Sequence, residues 1–249
     1  MAAPADGDLG RLWIHARSTV ALTPGGRILR EGPPDNSDAP RLFFAGCAAG
    51  NLALVRHDVG EADARRAEAL AQAEPPWFDP EHRPACLDEL VALAAEMGPA
   101  RPAAPALIHR LPNGSAGPVE ATIVRSDTID GEALLDRLAR DGMPPHLVEA
   151  GFVGLDDFWE PWCAAMVDGE IASMAFAARL GAHGADIGVY TFPAFRGRGL
   201  AAAVTAAWSS LPSLSDRTLF YSTLNTNLAS RRVAARLGLR RIGVSLRLT

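Results

Sequence analysis

The stretch that most limits how this chain can fold lies between residues 187 and 201. An apolar, strand-like run, Ile187-Gly188-Val189-Tyr190-Thr191, passes through Phe192-Pro193-Ala194-Phe195 into Arg196-Gly197-Arg198-Gly199 and then Leu200-Ala201. The Ala-rich residues that follow read as a helix from about Gly199 to Ser209. A strand that becomes a helix through so short a loop leaves the first helical N–H groups unpaired, and the helix dipole adds partial positive charge there. Glycine lets the backbone approach a phosphate closely, and two guanidinium groups add charge and donors. The stretch reads as an anion cradle. The alternative is a tight strand–helix turn with solvated arginines.

Charge is distributed to match. From Tyr190 onward there are nine Arg and a single acid, Asp216, whereas the rest of the chain is acidic; every Lys/Arg position is Arg. An anionic ligand on one side and a cationic one on the other would suit such a split. A genome that favours Arg over Lys would also produce it. Cys47, Cys86 and Cys163 are far apart and form no C-x-x-C pair, and the six His show no ligand spacing. Neither a disulfide framework nor a metal site is expected. No apolar run approaches a membrane span, and Met1 to Gly10 lacks the basic and apolar parts of a secretion signal, so a cytoplasmic protein is expected.

Residues 1–40 are rich in Gly, Pro and Asp, with Arg11–Leu22 a short helix or ordered arm. Strands are expected over Arg41–Ala45 and Asn51–Val59, and helices over Gly60–Ala73 and Asp88–Met97. Gly98–Ala106, with three Pro, reads as a linker or boundary. A short strand is expected at Leu107–Arg110, a turn at Pro112–Pro118, a strand at Val119–Arg125 and a helix at Gly131–Asp141 closed by Gly142. Trp162–Val167 and Ile171–Leu180 are apolar strands joined by Asp168-Gly169, the strongest hairpin signal in the chain. Strands at Ala185–Thr191, Thr218–Thr223 and Arg241–Leu248, and a helix at Ala229–Leu237 stopped by Gly238, complete the pattern.

Arg196-x-x-Gly199-x-Ala201 matches the R/Q-x-x-G-x-G/A pattern with which GNAT-type N-acyltransferases hold the pyrophosphate of coenzyme A. Asn225-Thr226-Asn227-Leu228-Ala229-Ser230, leading into Arg232 to Leu239, resembles the second signature of that family, with Leu239 where Phe is usual. The C-terminal part, residues 118–249, therefore resembles a GNAT domain; residues 1–110 form an N-terminal α/β region outside the resemblance. The resemblance implies an α/β (α+β) fold with a mixed, largely antiparallel sheet and helices on both faces. It implies that Ala185–Thr191 and Thr218–Thr223 splay apart around acetyl-CoA, with no metal. Pantetheine would pair with Val189 and Thr191, and the pyrophosphate would sit on Arg196, Gly197, Arg198, Gly199, Leu200 and Ala201. Asn227 and Ser230 would line the pantetheine side.

The implied reaction is direct transfer of an acyl group to an amine. A backbone N–H near Tyr190 would stabilise the oxyanion. The family's usual acid, a Tyr on the helix after the Asn signature, falls here on Ala234. Tyr221 on the neighbouring strand is the nearest substitute, or else a core aromatic; Ser222 and Ser230 are weaker candidates. Glu160, Asp157 and Asp186 are candidate bases, Asp186 also reading as a strand cap. Asp156 to Trp162 is acidic and aromatic, which suits an ammonium pocket or an aromatic cluster closing the core. Trp77-Phe78-Asp79 with Glu81 and His82 is either a lid or packing between the two halves. The expected partner is a small-molecule amine, with a protein N-acetyltransferase or a non-catalytic acyl-CoA sensor as alternatives. A homodimer is compatible with this reading. Nucleic acid is not expected, because the basic residues are not interleaved with stacking aromatics.

Overall fold

In the computed structural model, which describes residues 7–35, 37–96, 98–115 and 121–249, helix α1 (Asp8–Thr19) runs into a hairpin of β1 (Val20–Leu22) and β2 (Ile28–Glu31). Next come β3 (Leu42–Cys47), β4 (Gly50–Val55), α2 (Glu61–Ala73), α3 (Leu87–Ala95) and β5 (Ala106–Leu111). They are followed by β6 (Thr122–Arg125), α4 (Ile129–Asp141), α5 (Pro145–Glu149), β7 (Trp162–Val167) and β8 (Glu170–Leu180). Finally come β9 (Gly184–Thr191), α6 (Leu200–Trp208), β10 (Thr218–Leu224), α7 (Leu228–Arg236) and β11 (Arg240–Leu248).

Nine strands form one sheet in the order β4-β3-β11-β5-β10-β9-β8-β7-β6. Every described pairing in it is antiparallel except β9 with β10. The Asp168-Gly169 turn has positive φ at both central residues, 51° and 81°, as a two-residue hairpin loop of type I′ requires. The strands on either side of the expected division near residue 110 belong to this one sheet. β5, from the first half of the chain, lies between β10 and β11 of the second.

Side-chain alternation along the strands splits the core in four. On one face, α2 and α3 cover Phe44, Leu107 and Val244, while α6 and α7 cover Cys163, Ala175, Ile187 and Leu219. On the other, α1 covers Phe43, Ile108 and Phe220, while α4 and α5 cover Trp162, Met174 and Phe192. The β1–β2 hairpin is fastened over the α1 face by buried Glu31, which accepts from Arg179 at 3.0 Å and also pairs with Arg247.

The Arg11–Leu22 region is helix only to Thr19 and turns extended at Val20. The strand expected to reach Val59 ends at Val55, where the Arg56–Asp58 ion pair closes a turn. Val119 and Glu120, at the start of another expected strand, lie outside the described residues, as do residues 116–118 of the expected turn.

Candidate functional site

β9 and β10 pair as parallel strands only from Thr218↔Gly184 to Phe220↔Asp186. The bond from Thr218 N to His183 O sets the register. By alternation, the N–H of Ser222 should next meet the carbonyl of Ile187. It instead donates to the side chain of Asp186, at 3.1 Å to Oδ1. A carboxylate thus takes the place of a strand carbonyl, and the ladder stops there. Asp186 Oδ2 lies 3.1 Å from His15 Nε2, and the same nitrogen lies 2.9 Å from Ser222 Oγ. Three residues from α1, β9 and β10 therefore brace the point where the strands part. Beyond it, alternation turns the N–H and C=O groups of Val189 and Thr191 toward the gap. The backbone of Tyr190 faces β8, where its carbonyl accepts from Ser173 Oγ at 3.0 Å. The free amides near the expected oxyanion position are therefore those of its neighbours.

On the α6/α7 face the gap opens into a cavity of about 640 Å³. Val189, Tyr190, Thr191, Arg196 to Ala201, Tyr221, Asn227 and Ser230 all line it. Gly197 and Gly199 both have φ of 79°, a left-handed conformation that other residues rarely adopt. Two such turns in succession carry the chain from Gly197 to Ala201 along the cavity wall. Among the described residues the N–H groups of these five have no acceptor, the first internal bonds being those of Ala202 and Ala203 to Gly199 O. Arg232 and Arg236, one turn apart on α7, join Arg196 and Arg198 in the lining, and no carboxylate is among the lining residues. Sequence reasoning missed these two, although their i, i+4 spacing after the Asn signature places them on one face of the helix.

Several of the lining side chains also have structural partners. Asn227 caps α7, its side chain accepting from Ser230 N at 3.1 Å. Ser230 Oγ lies 2.8 Å from the hydroxyl of Tyr221. Burial raises the Tyr221 phenol above its usual range, so the proton stays on it across the physiological range. Arg196 donates to Thr191 O at 3.1 Å, while the guanidinium of Arg198 is exposed.

Glu160 is not brought to this cavity. It is exposed, in the segment before β7. Asp157 Oδ2 accepts from the amides of Val153 and Gly154, at 2.7 and 2.9 Å, and so shapes its own loop. Trp159 packs edge-on to Phe176, which lies across Gly188; a Cβ at Gly188 would meet that ring at 2.4 Å. The Trp77 segment packs the two halves of the chain together. Trp77 stacks on Phe44 with centroids 5.3 Å apart, Phe78 lies 4.2 Å under the Arg241 guanidinium, and Glu81 accepts from Asn225 at the turn into α7.

No family model and no curated protein matches the chain. Solved structures do. One from Novosphingobium aromaticivorans, described as an acetyltransferase of the GNAT family, is 23% identical over 60% of this chain and 66% of its own, with a TM-score of 0.38. One from Colwellia psychrerythraea is 17% identical over 59% of this chain and 56% of its own, at 0.39. A GCN5-related N-acetyltransferase-like protein from Streptococcus suis is 14% identical over 98% of this chain and 100% of its own, at 0.43. The chain thus spans less than two thirds of the length of the first two and the whole of the third. Among the described residues, no helix is long and apolar enough to cross a membrane.

Proposed function

We propose that the protein is an acyl-CoA-dependent N-acyltransferase of the GNAT type that uses acetyl-CoA and acts on a small primary amine. The observation that carries this reading is the cavity at the strand gap, with five unpaired amides at its mouth and four arginines but no carboxylate in its lining. A ligand with several phosphates satisfies both. Its extended arm can take up the backbone groups of Val189 and the amide of Thr191 in the gap, which water or a sulfate would leave unbridged. Arg196 to Ala201 hold the pyrophosphate, and Asn227 and Ser230 border the arm.

The acceptor enters from the α1 side of the gap, beside the partly exposed aromatic wall of Trp159 and Phe176 and the acidic Asp156–Glu160 segment. An amine nitrogen attacks the thioester carbonyl, and the free amides of β9 bind the oxyanion. The carbon–sulfur bond then breaks, its electron pair remaining on sulfur. Tyr221, on the cavity wall, supplies a proton to that sulfur, and the surplus proton of the amine leaves to water, with the exposed Glu160 on the acceptor side as the proposed relay. Because a bound ammonium must first become neutral, activity rises with pH until it has done so. Ala234 in place of the helix Tyr favours a second reading, an acyl-CoA-binding module without turnover.

Thiol release from acetyl-CoA with a panel of primary amines separates the two. Turnover with any amine above the rate with acetyl-CoA alone supports the enzyme. Binding of acetyl-CoA without turnover across the panel supports the module.

A further inference from the structure

β10 carries two hydroxyls side by side where it leaves β9. Tyr221 faces the cavity and Ser222 faces α1. Ser222 is half-buried at the point where the strands part, whereas His15 and Asp186 behind it are buried. The three come from positions 171 and 207 residues apart in the chain, and the ring of His15 is otherwise surrounded by Phe43 and Phe220.

The proton positions follow from the contacts. An ionised carboxylate can only accept, so the proton shared between His15 and Asp186 sits on Nε2. The opposite tautomer would aim the Nε2 lone pair at the carboxylate and would leave a hydrogen on Nδ1, which is buried without a partner. With the proton on Nε2, that one hydrogen is shared between Asp186 Oδ2 at 3.1 Å and Ser222 Oγ at 2.9 Å, so Ser222 Oγ accepts from His15 and does not donate to it. Its own hydrogen is then not spent on His15 and is left to be donated elsewhere.

We infer that Ser222 Oγ–H is a hydrogen-bond donor to the thioester sulfur of the acyl-CoA, and that His15 and Asp186 are the positioning residues that hold its oxygen in place and keep its hydrogen available. This inference rests on the acyl-transfer reading above. When the amine nitrogen bonds to the acyl carbon and the carbon–sulfur bond breaks, the electron pair stays on sulfur. Ser222 stabilises that thiolate from the α1 face while keeping its own proton, an alcohol being a far weaker acid than a thiol. The proton of Tyr221 arrives from the other face.

The test needs no acceptor. CoA itself is bound to the protein, and ionisation of its thiol is followed by ultraviolet thiolate absorbance across pH. A donor aimed at sulfur favours the charged form, so the bound thiol ionises at lower pH than it would without it. Ser222→Ala should raise its midpoint by about one pH unit, the scale of a hydrogen bond to a charged group. Ser222→Thr, which keeps the hydroxyl, should restore the wild-type midpoint. His15→Phe should move it in the same direction as Ser222→Ala, and His15→Gln, which keeps a donor, should move it less. The titratable and charged groups around this point are His15 on α1, Asp186 and Tyr190 on β9, Tyr221 on β10, His109 on β5 and the cavity arginines. All are common to the wild type and the Ser222 variants. The same midpoint in wild type and Ser222→Ala, both with CoA bound, overturns the role of Ser222 alone. Failure of the folded wild type to bind CoA overturns the acyl-transfer reading with it.

Discussion

Replacing Asp186 by Ala tests the account of why the strands part. In the wild type its two oxygens serve Ser222 N at 3.1 Å and His15 Nε2 at 3.1 Å, and the residue is buried. Without the carboxylate, the Ser222 N–H loses its acceptor, while His15 keeps Ser222 Oγ. An orphaned buried donor costs about 1–3 kcal/mol and a lost bond to a charged group about 1.5–3 kcal/mol, and because the two overlap a net loss of about 2–3 kcal/mol is expected. For a chain of this size that corresponds to a fall in Tm of about 5–10 °C. The N–H can recover a partner only if β10 closes onto the Ile187 carbonyl, which narrows the gap. A closing bond worth about 1–1.5 kcal/mol would weaken acetyl-CoA binding by about tenfold. Asp186→Asn keeps an oxygen for Ser222 N and should lose clearly less of both. Thermal unfolding and acetyl-CoA titration of the three proteins measure these effects. An Asp186→Ala protein with the Tm and acetyl-CoA affinity of the wild type would refute the idea that this carboxylate ends the ladder.

Tyr221→Phe should lower kcat by about 10²-fold, the scale of a lost general acid, with acetyl-CoA affinity little changed; a rate within about threefold of wild type would mean the thiolate leaves unassisted by this phenol. His109 supplies a pH dependence. Burial pushes its imidazole below the ordinary 6.5, so the folded protein favours the neutral form and the unfolded chain binds the extra proton first as pH falls. The stability tied to this group is complete above about pH 6.5 and is lost as pH drops through the lower folded-state value, so His109→Phe should flatten the decline in unfolding free energy below about pH 6.5. Denaturant unfolding at a series of pH values checks this, and an unchanged slope would count against it.

The second half of the chain was largely legible because its signals are local. A two-residue turn, an Ala-rich helix behind a glycine pair and an Asn cap each act within a few residues. The cradle residues were legible for the same reason, since positive φ at Gly197 and Gly199 leaves a mark in the sequence. The β1–β2 hairpin and α5 were not, as three to five residues are too few to establish a period. The place of β5 between β10 and β11 is a non-local choice that no short pattern in Leu107–Arg110 announces. His15 was missed because its meaning depends on Asp186 and Ser222, each more than 170 residues away. A lone His on an apolar helix face carries no sign of such partners. Glu160 was read from composition, which records that acids and aromatics are neighbours in sequence but not which way they face; it lies outside the cavity lining, on an exposed segment.

Whether the gap between β9 and β10 binds an acyl-CoA is measured most directly by calorimetric titration of acetyl-CoA into the purified protein. One binding event is expected, with an affinity that falls as salt is raised, because phosphates held by the lining arginines would be screened at the surface. In Arg198→Glu, which sets a carboxylate beside the unpaired amides of the cradle, the affinity should drop by about tenfold or more. No binding heat from the folded wild type at several temperatures, or equal affinity in the two proteins, would contradict an acyl-CoA site there.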